Sequence, residues 1–244
     1  MNILLIVASG KSSRFGGFPK AFASLGKRMN VENTIDKACN LFDSIYLMVN
    51  EETYNEYSSK ISGCKMFSIF TGQGDAHSLL KGLTRIKEKC PKANRVVVCW
   101  GDAVFVSDKP LKQLLDVQDK SEVVVACSND SHPYAWFDID NNDYIVRSYF
   151  KKTDGDIEVG KHDQSLFSFD LDYALKYLNE YREYLHIPFN NTTVPDKNEM
   201  KLLDSFTYLY KEGQRKVKYA LVEPNNVLSF NTVEELDDIK KKIN

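Results

Sequence analysis

The stretch Ile3–Arg28, ILLIVASGKSSRFGGFPKAFASLGKR, decides how the rest of the chain is read. It opens with an unbroken apolar run, Ile3 to Ala8, bounded by Ser9 and Gly10. A run that short, rich in Ile, Leu and Val, reads as a strand buried on both faces. From Ser9 to Gly17 the chain turns small and polar, with cations at Lys11 and Arg14. Such a loop keeps backbone N–H groups free and lets a ligand approach the main chain, the conditions for cradling phosphate oxygens. Lys11, Arg14 and Lys20 add positive charge, Arg suited to bidentate contact and Lys to a mobile point charge.

Outward from this stretch, apolar residues at helical spacing over 31–42 predict a helix, followed by a strand at 45–49, a polar helix at 51–61 and a strand at 65–70. A turn, Thr71-Gly72-Gln73-Gly74-Asp75, leads into a helix over 76–89, with Asp75 as its expected N-cap. A strand at 95–100 ends at Gly101-Asp102; a short helix at 110–117 and a strand at 123–127 follow. Strands alternating with helices argue a mostly parallel α/β sheet with crossover helices. From Asp130 to Val159 the pattern changes: 134–139 and 144–150 read as a hairpin closed by Asp140-Asn141-Asn142-Asp143. Then come a strand at 165–169, a helix at 171–184, a loop at 187–197, a helix at 199–212, strands at 216–222 and 227–230, and a closing helix at 233–243. The expectation is one domain over 1–244, carrying a small antiparallel insertion lobe at roughly 130–200.

Composition bounds the function. At 244 residues the chain can bury a full core, and 43% hydrophobic with 27% charged residues is ordinary for a globular protein. A formal net charge of −2 gives no broad field to attract nucleic acid or an anionic membrane, and neither partner is expected. No apolar run approaches the ~20 residues that span a bilayer. Five cysteines without CxxC spacing, several in apolar runs, read as reduced core thiols, so the cytoplasm is the expected location. A homo-oligomer is compatible with everything in the sequence. Four histidines scattered without HxH or HExxH spacing argue against zinc.

Two standard glycine motifs fail. GxGxxG would need glycines at 10, 12 and 15, where Gly10, Ser12 and Phe15 stand. Gly10-Lys11-Ser12 has the closing tripeptide of a P-loop, but Leu5 lies where its first glycine belongs. The stretch instead resembles the signature of the nucleotidyltransferase superfamily that activates sugars and small alcohols as nucleotide diphosphates. The matching elements are Ala8-Ser9-Gly10, Ser12, Arg14, Pro19-Lys20 and Leu25-Gly26-Lys27. The likeness extends through the Gly72–Ser78 loop, Gly101-Asp102, the helix after Glu199 and the C-terminal segment, so it covers most of the chain.

That resemblance implies a Rossmannoid, glycosyltransferase-A-like fold and the reaction NTP + acceptor phosphate → NDP-acceptor + pyrophosphate. It also implies roles. Ala8, Ser9, Gly10, Lys11, Ser12, Ser13 and Arg14 would hold the triphosphate, while Gln73, Gly74, Asp75 and Ser78 would read the base. Lys20 and Arg14 would act catalytically, and Asp102 and Asn231 would hold Mg²⁺ or Mn²⁺. Lys152, in the place of a Glu-Lys pair of many relatives, and Trp136 would touch the acceptor. Each has a bland reading beside it. Asp102 or Asn231 could cap a helix, Gly72–Asp75 could be an ordinary turn, Lys151-Lys152 a solvated charge pair, and Trp136 hairpin core. Ser12 for the common Gly and Asn231 for the common Asp depart from the pattern.

The likeness to cytidylyltransferases favours CTP, with UTP and GTP behind. The expected acceptor is a sugar phosphate, a phosphorylated polyol, phosphocholine or a phosphorylated amino acid such as phospho-glutamine, for capsule or other surface-polysaccharide decoration. Two rivals stand beside this reading. A metal-dependent glycosyltransferase of the same fold would rely on the DxD at Asp138 and Asp140, which a hairpin turn explains as well. A non-catalytic nucleotide-binding regulator would have lost the metal or lysine positions, and both are present.

Overall fold

The computed structural model describes residues 1–70, 72–189, 199–214 and 216–243. The loop expected at 187–197 therefore falls mostly outside the described residues, as does Thr71 at the start of the Gly72 turn.

In chain order, β1 (Asn2–Ala8) is followed by a short ribbon, β2 (Ser24–Leu25) and β3 (Arg28–Met29), and by α1 (Asn30–Ala38). Next come β4 (Ser44–Val49), α2 (Glu51–Tyr57), β5 (Lys65–Ser68), α3 (Asp75–Lys89) and β6 (Arg95–Trp100). The middle holds β7 (Ala103–Phe105), α4 (Lys109–Val117), β8 (Val123–Ser131), β9 (Ala135–Ile139), β10 (Ile145–Phe150), α5 (Lys151–Asp154) and β11 (Val159–Asp170). The chain closes with α6 (Leu171–Tyr184), α7 (Leu202–Lys211), β12 (Val217–Leu221), β13 (Val227–Ser229) and α8 (Val233–Ile243).

β1 lies between β4 and β6 and pairs with both in parallel, Leu5 opposite Tyr46 on one side and Val98 on the other. A strand flanked on both edges and covered on both faces has no solvated side, which is why Ile3–Val7 can be apolar without alternation. Ile3, Leu5 and Val7 join the core under α3, α6 and α7; Leu4 and Ile6 join the core that includes α1 and α4. β5 continues the parallel run beyond β4, and β12 pairs in parallel with β8. The expected mostly parallel sheet flanked by helices is thus present, with an antiparallel strand set into it.

That strand is β11, seven residues longer than the 165–169 run suggests. Its second half pairs antiparallel with both β6 and β8; its first half pairs with β8 and, at Lys161 and His162, with β9. The register shifts between Asp163 and Phe167, where Ser165 takes a φ of 57°. The bulge swaps β6 for the β9–β10 hairpin as neighbour, so the hairpin extends the sheet beyond the end of β6. Expectation missed this because Val159–Gln164 is polar and lacks alternation.

Smaller differences have similar causes. The segment 101–106, to which the sequence assigns no element, contains β7, whose apolar Ala103-Val104-Phe105 pairs antiparallel with β13. The helix expected at 199–212 starts at Leu202. Asp75 is the first residue of α3, and Gly74, at φ 101°, is its N-cap. The four-residue α5 was not expected at all. All five cysteines are free, and no helix is long and apolar enough to cross a membrane among the described residues.

Leu5 is fully buried at the centre of the sheet. Leu5→Ala is expected to cost about 3 kcal/mol through lost transfer energy and an unfilled cavity. The midpoint of urea unfolding should fall at unchanged slope, and an unshifted midpoint would contradict the central placement of β1.

Candidate nucleotide and metal site

One cleft of about 500 Å³ lies beyond the carboxyl ends of β1 and β6, where open α/β sheets bind ligands. Ala8, Ser9, Gly10, Lys11, Ser12, Ser13, Arg14, Lys20, Gly74, Asp75, Ser78, Asp102 and Asn231 all line it. Sequence positions from 8 to 231 thus come to one place.

The opening loop owes its shape to more than small residues. Ser12 sits in the left-handed region, φ 48°, and its carbonyl accepts the N–H groups of Phe15 (2.8 Å) and Gly17 (3.0 Å). Phe15 turns inward and meets Phe230 at 5.4 Å in a small core with Val104, Leu236 and Ile239. The loop is therefore bolted to β7 and α8. Neither Lys11 nor Arg14 has an ion-pair partner among the described residues, which leaves both cations available to an anion.

Asp102 is placed by close packing. A Cβ on Gly101 would come within 2.8 Å of the Ala8 Cβ, so only glycine lets the end of β6 approach the end of β1 this closely. The turn is then oriented by Asn30, a fully buried residue whose Nδ2 donates to the carbonyls of Gly101 and Ala103, each at 3.0 Å. Opposite, Thr232 and Glu235 form a capping box at the start of α8: Thr232 Oγ1 accepts the Glu235 N–H at 3.2 Å, and Glu235 Oε2 accepts the Thr232 N–H at 3.3 Å. Glu235 also accepts the Asn231 N–H. Because Thr232 caps the helix, the Asn231 side chain is left to face the cleft.

The two side chains converge on Lys20. Its ammonium donates to Asp102 Oδ2 at 2.7 Å and to Asn231 Oδ1 at 3.0 Å. A cation held between these oxygens shows that the pair is arranged to bind positive charge. One carboxylate and one amide oxygen suit Mg²⁺, which takes one or two protein oxygens and completes its octahedron with water and phosphate. No cluster of three or more His, Cys, Asp or Glu fit for a metal occurs among the described residues.

The base-side wall is built around α3. Ser78 Oγ accepts the Gly72 N–H at 3.1 Å and donates to the Gly74 carbonyl at 3.1 Å. Asp75 Oδ1 accepts the N–H groups of Ala76 (2.7 Å) and Leu202 (2.9 Å), joining α3 to α7. Asp75 is exposed as a residue, yet the protein packed around its carboxyl pushes the pKa up to about 6, with Glu199 and Asp204 adding repulsion. Glu199 lines the cleft beside it, and no motif marks this residue in the sequence. Gln73 does not line the cleft; its side-chain amide is buried without a hydrogen bond among the described residues.

Trp136 and Lys152 do not line the cleft either. Trp136 is buried and stacks on Tyr149 at 5.5 Å; Lys152 is exposed on α5. The DxD serves its own hairpin. Asp140 Oδ1 accepts the N–H groups of Asn142 and Tyr144, and Asp138 Oδ2 accepts the Tyr149 hydroxyl at 2.7 Å. That geometry is a turn, and it gives the glycosyltransferase reading no metal centre.

His77 stabilises the base loop from behind. Its Nδ1 accepts the Gln73 N–H at 3.1 Å and its Nε2 faces the Phe189 carbonyl at 3.2 Å, which fixes the neutral ring with the proton on Nε2. Burial first, then Lys81, lowers its pKa from 6.5 to about 4. The unfolded chain takes this proton near pH 6.5 and the folded protein only near 4, so the contribution is full above 6.5 and lost as pH falls toward 4. Asp75, with its raised pKa, acts in the opposite sense between pH 6 and 4. The stability difference between the wild type and His77→Gln should therefore be largest above pH 6.5 and shrink by pH 4.5. A difference constant with pH in denaturant titrations would contradict the buried neutral ring.

Comparison with known proteins bears on the family and the fold. The chain is 26% identical over 130 residues to a 2-C-methyl-D-erythritol 4-phosphate cytidylyltransferase of Thermosipho melanesiensis, an alignment spanning 51% of this chain and 57% of that protein. In fold it is similar to a nucleoside-diphosphate-sugar pyrophosphorylase from Vibrio cholerae RC9, with a TM-score of 0.73 at 16% identity over 98% of this chain and 99% of that one. It is also similar to an inositol-1-phosphate CTP transferase from T. maritima, with a TM-score of 0.69 at 16% identity over 100% and 96% of the two chains. The MobA-like NTP transferase domain model matches residues 4–163, well over half of the sequence, with the opening loop, Lys20 and Asp102 inside it. The chain belongs to the MobA-like NTP transferase domain family.

Proposed function

We propose that this protein is a nucleotidyltransferase of the EC 2.7.7 type that joins the nucleoside monophosphate of an NTP, CTP by preference, to a small phosphorylated acceptor. The observation that carries the reading is Lys20 held between Asp102 and Asn231 at the end of a phosphate-cradling loop. The acceptor phosphate is already ionised, so an oxygen of it can attack the α-phosphorus in line without a general base. The new P–O bond forms as the bond to the β-phosphate breaks and pyrophosphate leaves. What the protein supplies is alignment and positive charge.

The backbone of Ser9–Ser13, with Lys11 and Arg14, is suited to the leaving β,γ-phosphates, and Lys20 to the α-phosphate and the incoming phosphate. Asp102 and Asn231 would hold Mg²⁺, which supplies charge neutralisation when bound. Asp75 and Glu199 support the choice of base. Carboxylates in a cleft that must take a polyanion can face only its uncharged end, and they accept hydrogen bonds from an exocyclic amino group. Cytosine, adenine and guanine have such a group and uracil does not, so the two carboxylates disfavour UTP. The names of the Thermosipho and T. maritima relatives point the same way. A product of this kind would serve surface-polysaccharide decoration.

The test is pyrophosphate release with Mg²⁺, each common NTP and a pool of phosphate monoesters. Release is expected with CTP, reduced by roughly 10³-fold in Lys20→Ala and abolished in Asp102→Ala, with both variants folded by circular dichroism. Near-normal turnover in either variant would refute the assigned role.

A further inference from the structure

A second cavity, about 470 Å³, lies on the β13 side of the turn that carries Asp102. Its wall includes Ser229, which pairs with Ala103 beside Asp102 and precedes Asn231 by two positions. It also includes Asp163, at the β11 bulge, which is close enough to Asp102 to feel its charge. The end of β8 with the turn after it, the β11 bulge and β13 thus line a space beside the turn that carries Asp102.

The chemistry of this wall is one-sided. Asp130 Oδ2 accepts from His162 Nδ1 at 2.7 Å and from the Nε2 of buried Gln164 at 3.3 Å. That bond holds the imidazole in one orientation and leaves its Nε2 as the second ring atom for a ligand. Asp163 accepts the Ser165 N–H at 2.9 Å and has no basic side chain bonded to it among the described residues; burial pushes its pKa up to about 6. Among the described residues, no lysine or arginine lines the cavity. Lys161, at its edge, reaches Asn129 at 3.4 Å and lies over the Tyr219 ring, and Lys151 pairs with Asp156 at 2.9 Å. Three lining residues, His132 (φ 50°), Ser165 (φ 57°) and Asn225 (φ 65°), hold left-handed backbone conformations that side chains rarely adopt, the kind of strain that collects at binding sites.

Cations therefore stand at one end, Lys20 with Lys11 and Arg14, and carboxylates at the other. We propose that this second cavity receives the body of the acceptor, and that Asp130, Asp163 and His162 restrict it to small phosphate monoesters bearing hydroxyl or ammonium donors and no second anionic group. The inference rests on the transferase reading for its word acceptor, and the cavity supplies the class. An ionised carboxylate only accepts hydrogen bonds, so it favours hydroxyl and ammonium groups. A second carboxylate on the ligand would be buried against it unpaired, and would be rejected for that reason.

Two matched pairs of esters test this: phosphoethanolamine against phosphoserine, and glycerol phosphate against phosphoglycerate, each pair differing by one carboxylate. Binding is measured by calorimetry on the Mg²⁺-loaded protein with a non-hydrolysable CTP analogue. The carboxylate-free member of at least one pair should bind tenfold or more tightly than its partner. Asp130→Asn should narrow that ratio at least threefold while nucleotide binding stays unchanged, and His162→Gln should weaken the favoured ester. Equal or tighter binding of the carboxylate-bearing members, or no binding of any ester, overturns the assignment. Pyrophosphate release separates the two readings. Selective binding without turnover with any NTP would defeat the transferase reading alone, and turnover without selectivity would defeat the cavity assignment alone.

Discussion

The Lys20 ammonium, bonded at once to Asp102 and Asn231, joins segments 82 and 211 residues apart along the chain. Everything that matters in the cleft depends on those segments arriving together. They do so because β1 and β6 are adjacent and parallel, and therefore finish on the same side of the sheet. Asn231 arrives by a different route, at the end of β13, which is pinned to β7 just after Asp102. A part-buried ion pair is weak evidence for stability, since desolvation offsets much of the attraction. Its value here is positional. A cation has been set between two oxygens that come from distant parts of the chain.

How much of this could be read beforehand follows from the range over which each residue acts. The β1 strand, its loop and Asp102 were legible because each is declared by its neighbours in sequence: an apolar run, a burst of small polar residues, a carboxylate after a buried strand. Asn231 was legible only through resemblance, and the capping box one position on was written in Thr232 and Glu235. Asn30 was not legible. It looks like one more polar residue at a helix start, and its function is to bond carbonyls 71 and 73 residues away. His77 reads as an isolated histidine until Gln73 and Phe189 are seen on its two nitrogens. Trp136 shows the converse: an aromatic side chain announces burial but not direction, and Tyr149 is what it stacks on.

The β11 strand illustrates the same limit for the fold. Its second half, Leu166–Phe169, is apolar and buried between two strands, and periodicity finds it. Its first half is polar because it borders the second cavity, so the very residues that give that space its character conceal the strand that carries them. Local preference and tertiary role disagree there, as they commonly do where binding rather than packing sets the sequence.

Phe15 and Phe230, in contact at 5.4 Å, join the beginning of the chain to its end. During synthesis at about 5–20 residues per second, β1 and its loop leave the ribosome long before β13 and α8 exist. For most of that time the loop lacks the aromatic partner that bolts it down, and Lys20 lacks Asn231. The sheet can assemble progressively around β1, whereas the cleft is finished in a single late step. The cleft is thus completed only after the segment carrying Phe230 and Asn231 has been made.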